Sequence, residues 1–330
     1  MRPPPPGFLS HSSIFHHVFY PPEENWSEDA SGWLRPLEGR SPKVLVQRPS
    51  IKRSKQDIGS LTELATMEMK KRLVKESVGP FKKGSSNEKN CLWNTFHARE
   101  HVKPITKKQL GLWGIDYFDL FLVHFPIALQ YVDPDHRYPP EWFDDNGRVQ
   151  LQNTPLQETW GAMEELVDEG YAKNIGLSNC NGSLILDVLR YARIMPQVLQ
   201  VELHPYLVQT ALVDLAKALN IAVTAYSSFG PQGYLELSMD KGAQSLLTRD
   251  AITQAASKHK KTAAQVLLRW ATQRGIAVIP KSNDAVRLRE NLQCDSFELD
   301  EDEIKRITAL NINLRLNNPA EIDPRLAIFA

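Results

Sequence analysis

The sequence predicts a parallel α/β fold, open or closed. Three observations carry that reading. Short apolar runs recur between residues 119 and 280, each too short for a confident helix and most rich in β-branched or aromatic residues. Segments of helical period lie between them. Helix starts and stops fall where this alternation needs them, which is the pattern of strands wound in one direction with crossover helices.

The strand candidates come in order. Residues 119–124 read DLFLVH, 172–177 AKNIGL, 198–203 VLQVEL, 221–226 IAVTAY and 276–280 IAVIP. Between the first two, Thr154-Pro155-Leu156-Gln157 reads as a capping box with Pro at the first helical position. Trp160, Met163, Leu166 and Val167 then fall on one helix face, and Gly170 ends the run. Residues 184–194 and 211–219 are shorter helix candidates. Thr262-Ala263-Ala264-Gln265 is a second box, followed by Val266, Leu267, Trp270, Ala271 and a closing Gly275. Asp300 to Glu303 open a further helix with Ile304, Ile307 and Leu310 as its stripe. Trp113, Tyr117, Phe118, Phe121 and Phe125 form an aromatic group that reads mostly as core.

The first 90 residues differ. They hold 15 Lys and Arg against 10 Asp and Glu, and nine of the 22 prolines lie before residue 51, so this part reads as partly disordered. We place the boundary there: an atypical region over 1–90 and a folded unit over 91–330. The whole chain balances 39 basic against 39 acidic residues, which argues against nucleic acid as a partner. The basic residues between Lys70 and Lys89 are read as solvated. No apolar stretch is long enough for a membrane span, and the start MRPPPPG lacks the apolar region of a signal peptide. The three cysteines, Cys91, Cys180 and Cys294, are widely spaced and odd in number. They suggest neither a disulfide framework nor a metal site, and point to a reducing, cytoplasmic compartment.

Residues that carry chemistry cluster after strand ends, which face the ligand in parallel α/β folds. His124 ends DLFLVH and can donate to a substrate oxygen, or be a satisfied core histidine. Ser178, Asn179, Cys180 and Asn181 follow another strand; they can grip a flat carboxamide or cap the next helix. Gln200 and Glu202 share one face of their strand, a costly pair inside a barrel unless hydrogen-bonded. His204 follows as a loop residue. Tyr226 can stack on a planar ring or cap the core. Lys281, Ser282 and Arg287 suit a phosphate group or a solvated surface. Neither GxGxxG after a strand nor GxxxxGK[ST] occurs, so a nicotinamide cofactor would be held without the common phosphate loops.

Together the stretches LWNTFH, WGIDYFDLFLVHFP, GYAKNIGLSNC, VLQVELHPYL, TAYSSFGPQ, AAQVLLRWATQRGIAVIPKSN, RLRENL and INLRLNNP resemble the aldo-keto reductases, among them the fungal xylose (aldose) reductases. The resemblance runs from Leu92 to the end of the chain. It implies a (β/α)8 TIM-type barrel with its first strands missing or replaced. It implies NADP, with NAD as the alternative, and reduction of an aldehyde or aldose of the xylose-to-xylitol type. In that family a Tyr is the acid, tuned by a Lys paired with an Asp, and a His orients the carbonyl.

Carried over by position, His124 matches the catalytic His. Ser178, Asn179 and Gln200 match the carboxamide site, and Tyr226 matches the ring that stacks on the nicotinamide. Ser227 and Phe229 match the pyrophosphate loop. Lys281, Ser282, Asn283, Arg287, Glu290 and Asn291 match the site of the adenosine 2′-phosphate and adenine. Trp93, Phe125 and Asn317 match the substrate pocket, where Leu316 stands for the usual Phe and loosens the wall. The Lys position holds Cys91, with Lys89 two residues away. The family's Tyr and Asp have no counterpart, since the surroundings of Tyr20 do not match. A non-catalytic nucleotide-binding protein, or a faulty gene model in which other sequence replaces the first exons, are the alternatives. Related enzymes include dimers, and the chain is expected as a monomer or a homodimer.

Overall fold

The computed structural model describes residues 91–138, 140–235 and 238–330. The readings made above for residues 1–90, including Tyr20, Lys89 and the basic run, lie outside the described residues.

Six strands form one parallel sheet whose order follows the chain: β1 (Cys91–Leu92), β2 (Phe121–Val123), β3 (Ile175–Ser178), β4 (Val198–Glu202), β5 (Ala222–Tyr226) and β6 (Ala277–Val278). Helices α1 (Arg99–Trp113), α2 (Leu156–Asp168), α3 (Gly182–Tyr191) and α4 (Thr210–Ala218) each link one strand to the next. Helices α5 (Asp250–His259) and α6 (Ala263–Thr272) precede β6, and α7 (Ala285–Leu292) and α8 (Glu301–Thr308) follow it. An order that never reverses is that of a singly wound barrel wall. An open doubly wound sheet would reverse at a switch point. Six consecutive strands of the expected eight-stranded barrel are thus present among the described residues.

Side chains alternate across this wall. Leu92, Phe121, Val123, Ile175, Leu177, Leu199, Val201, Val223 and Ala225 join Trp160, Met163, Leu166, Val266, Leu267 and Trp270 of the helices in the main apolar core. Cys91, Leu120, Leu122 and Val198 form a separate cluster with Ala222. The alternation therefore separates a helix-facing surface from an inner face. By the same period, Gly176, Ser178, Gln200, Glu202, Thr224 and Tyr226 belong to the inner face.

Two of the three predicted helix starts hold. Thr262 with Gln265, and Asp300 with Glu303, form reciprocal capping boxes. The box expected at Thr154 does not form. Pro155 itself is the N-cap, at φ −64° and ψ 141°, and no side chain caps α2. Its extended ψ starts the helix one residue later, so Gln157 cannot reach the third position that the box requires. Gly170, at φ 78°, ends α2 as expected. The longest helix among the described residues, α1, begins without a side-chain cap and has Pro104 inside it, so its start carries no local signal.

Candidate active site

The register fixes the site. Leu122 pairs with Gly176, Ser178 with Gln200, Gln200 with Thr224 and Glu202 with Tyr226. His124, Ser178, Gln200, Glu202 and Tyr226 therefore gather at the carboxyl ends of four neighbouring strands.

Asn179 ties them together. It sits at φ 56°, in the left-handed region that Asn tolerates better than most residues. Its backbone N–H donates to Gln200 O at 2.9 Å. Its Nδ2 donates to His124 O at 2.8 Å and to Ser178 Oγ at 3.1 Å. Its Oδ1 accepts the Tyr226 hydroxyl at 2.6 Å. Tyr226 OH in turn accepts Asn317 Nδ2 at 3.3 Å, which brings the C-terminal segment to the strand ends. Gln200 is half-buried, and its side-chain amide makes no hydrogen bond among the described residues. It is the group of this set left able to pair with a carboxamide.

Electrostatics follow from burial. His124 is buried, its ring 5.0 Å from those of Trp93 and Phe125. Burial lowers its pKa to about 4, so at neutral pH the imidazole is uncharged. His97 is lowered to about 3, first by burial and then by His124. The Tyr226 hydroxyl is raised well above 10, by burial first and then by Glu202 and Tyr234. It stays protonated and keeps its bond to Asn179. Cys180, beside the site in sequence, is pushed up to about 12 by burial, so its thiol is a packing group rather than a nucleophile.

The aromatic wall is Trp93, Phe125 and Trp142. Trp142 meets Trp93 edge-on at 5.7 Å and Phe125 at 5.1 Å. Sequence reading missed Trp142, since its segment has no period that marks core. It also lines a cavity of about 470 Å³ with Tyr131, Phe143, Arg137 and Arg148, beside the strand ends. Leu316, expected to loosen the wall, is fully buried.

The loop after β5 carries Ser227 at φ 54°, whose Oγ is 2.8 Å from the Tyr234 hydroxyl. Phe229 follows, half-buried, before a short 3-10 turn at Gly230–Gly233. The second predicted cluster surrounds the start of α7. Lys281, Asn283 and Arg287 are exposed, and neither cation forms a salt bridge among the described residues. Ser282 Oγ accepts Asp284 N at 3.2 Å. Asp284, which sequence reading passed over, caps α7 by accepting Val286 N and Arg287 N at 2.8 and 2.9 Å. Glu290 O accepts Gln265 Nε2 at 2.9 Å, and Asn291 is buried against the core.

Of the polar pair inside the wall, Glu202 is satisfied within the protein, in part by His204. Glu202 and His204 are both fully buried. Glu202 accepts His204 Nε2 at 2.9 Å, Leu316 N at 2.8 Å and Asn317 N at 2.9 Å. His204 is therefore more than the loop residue its sequence context suggests.

A parallel wall wound in chain order, with His124, Tyr226 and amides gathered at its carboxyl ends, defines the class as a parallel α/β barrel, with its polar groups on the face where such barrels place their sites. A sequence model of the aldo/keto reductase family matches residues 82–312, and the chain belongs to that family. It is 56% identical over 233 residues to a probable NAD(P)H-dependent D-xylose reductase of Aspergillus clavatus, covering 70% of this chain and 71% of that one. The corresponding protein of Emericella nidulans is 56% identical over 240 residues, with 72% and 75% covered. Among solved structures, an aldose reductase from Schistosoma japonicum superposes with a TM-score of 0.63 at 36% identity, covering 72% of this chain and 73% of that one.

Proposed function

We propose that this chain binds NADPH across the carboxyl ends of its strands, and that its site is shaped for reduction of an aldehyde or aldose, xylose to xylitol being the type. The observation that carries the reading is the hydrogen-bonded set Asn317–Tyr226–Asn179–His124, with Gln200 beside it. Its relatives are named as NAD(P)H-dependent xylose reductases.

The residues fit the cofactor. Gln200 presents its amide to a carboxamide, Ser178 and Asn179 hold the strand ends beside it, and Tyr226 offers a ring held in place through its hydroxyl. Ser227 and Phe229 lie on the next loop, where a pyrophosphate would pass. Lys281 and Arg287, with Ser282 and Asn283, supply charge and donors for a 2′-phosphate, which favours NADPH over NADH. Glu290 and Asn291 stand beside the adenine end. When bound, the cofactor supplies a hydride. His124, uncharged at neutral pH, donates a hydrogen bond to the substrate oxygen and holds the carbonyl in place. Trp93, Phe125 and Asn317 exclude water from it.

Proton delivery is the weak step. Where the family has its Lys, Cys91 stands on the inner face, clustered with Leu120, Leu122 and Val198. General acid catalysis contributes about 10²–10⁴-fold, so we expect turnover reduced by that order. The same observation favours a second reading, a nucleotide-binding protein without turnover. Steady-state NADPH oxidation by the 330-residue chain, with xylose and with a small reactive aldehyde, tests both. Slow, saturable oxidation supports the reductase. Binding without oxidation supports the second reading. A rate equal to that of the xylose reductases would show that the proton comes from a group we have not assigned.

A further inference from the structure

Residues 311–317 are laced to the loop that follows β4. Ile312 N and Leu314 N donate to Tyr206 O at 3.3 and 2.9 Å, and Val208 N donates to Asn311 Oδ1 at 3.2 Å. Gln209, at φ 50° before α4, donates from Nε2 to Glu202 O at 2.5 Å and accepts Arg315 Nη2 at 2.9 Å. The innermost stitch is the Glu202 side chain, whose two oxygens take the consecutive backbone N–H groups of Leu316 and Asn317.

We propose that Glu202 is a positioning residue for the nicotinamide end of the site, acting through Asn317. The inference rests on the nucleotide reading above. Glu202 has no exposed surface, and both of its oxygens are occupied by donors within the protein. It therefore neither touches a ligand nor moves a proton to one. Its effect passes along a defined path. It fixes the backbone of Asn317. Asn317 Nδ2 donates to the Tyr226 hydroxyl, Tyr226 donates to Asn179 Oδ1, and Asn179 Nδ2 donates to His124 O and Ser178 Oγ. Each link after the first uses a side chain that can rotate, so the position of Asn317 sets the rest. An amide at 202 would keep one acceptor and turn its NH2 toward a backbone N–H, where two donors face each other. The adenosine end, around Lys281 and Arg287, hangs on α7 and lies outside this path.

The test is binding of NADP+ and of adenosine 2′-monophosphate to the full chain and to Glu202→Gln, Asn317→Ala and the double variant, by calorimetric titration. We expect Glu202→Gln to weaken NADP+ by roughly tenfold or more, as for loss of a hydrogen bond to a charged or buried group. Adenosine 2′-monophosphate should bind within twofold of the unaltered chain, which also shows that the variant folds. Because Glu202 acts through Asn317, the double variant should lose no more than the weaker-binding single variant. Parallel losses for both ligands, an unchanged NADP+ affinity in Glu202→Gln, or losses that multiply in the double variant would overturn the proposal. An unaltered chain that binds adenosine 2′-monophosphate but not NADP+ would overturn the nucleotide reading and this inference with it.

Discussion

Gly176 lies on the inner face of β3, where the wall is too tight for any side chain. A Cβ there would sit 2.5 Å from Val198 O, 3.2 Å from Val198 C and 2.8 Å from Leu122 Cδ2. The leucine methyl can turn away, but the Val198 carbonyl belongs to the backbone of β4. Moving it disturbs the pairing of Leu177 with Leu199 and of Ser178 with Gln200, on which the site depends. Overpacking of this kind costs about 1–3 kcal/mol. In a domain of 150–250 residues each kcal/mol moves Tm by about 2–4 °C, so Gly176→Ala should lower Tm by roughly 2–12 °C. The assay is thermal unfolding followed by far-UV circular dichroism. Gly111 is the control: in α1, a Cβ there meets nothing within 4 Å. Gly111→Ala should leave Tm unchanged or raise it, since Ala favours a helix over Gly by about 1 kcal/mol. If Gly176→Ala melts within 1 °C of the parent, the close approach of β3 and β4 described here is wrong.

Further outcomes follow from the same geometry. The folded-state pKa values of His124, about 4, and His97, about 3, lie below the ordinary 6.5. The unfolded chain therefore takes up protons first. Stability is unaffected above pH 6.5 and falls as pH drops, by about 1.4 kcal/mol per pH unit per histidine, until the folded-state values are reached. Urea unfolding at pH 7.5, 5.5 and 4.5 measures it, and a flat profile between pH 7.5 and 5 would contradict the burial argument. Tyr226→Phe leaves the buried Asn179 Oδ1 without its donor and should weaken NADP+ about tenfold in a fluorescence titration. Arg287→Ala should lower affinity for NADP+ by about tenfold while leaving NAD+ nearly unchanged, a difference read from parallel titrations. Asp300→Ala removes the bond to Glu303 N at 2.8 Å and should cost about 1 kcal/mol of stability, seen as a lower urea midpoint.

The strands were legible because each is a short apolar run followed by a polar cluster, and that edge is where the wall meets its site. All five runs read from sequence coincide with strands to within a few residues, which accounts for five of the six strands. The sixth, Cys91–Leu92, is only two residues long and carries no period. Two capping boxes were readable because the motif is local. Thr154 misled because its motif is satisfied in sequence while the ψ of Pro155 moves the helix start. The helices α1 and α5 were not read: neither has a side-chain cap, and α1 contains a proline. Within the site, His124, Asn179 and Tyr226 stood out by their place after strand ends. The clasp of Glu202 on Asn317 did not, because it joins residues 115 positions apart and is backbone-directed on one side. Nor did Trp142, whose partners Trp93 and Phe125 lie in other segments. Gln109 escaped for the same reason: its Nε2 donates to Cys91 O at 3.2 Å and satisfies a carbonyl of the two-residue strand β1.

The central claim is that the carboxyl ends of these strands hold a nicotinamide nucleotide. Titration of the purified 330-residue chain with NADPH, following tryptophan fluorescence, tests it most directly, since Trp93 packs against His124 at the site. The account predicts saturable quenching at one nucleotide per chain, reversed by adenosine 2′-monophosphate. A signal that does not saturate, or that adenosine 2′-monophosphate fails to reverse, would contradict it.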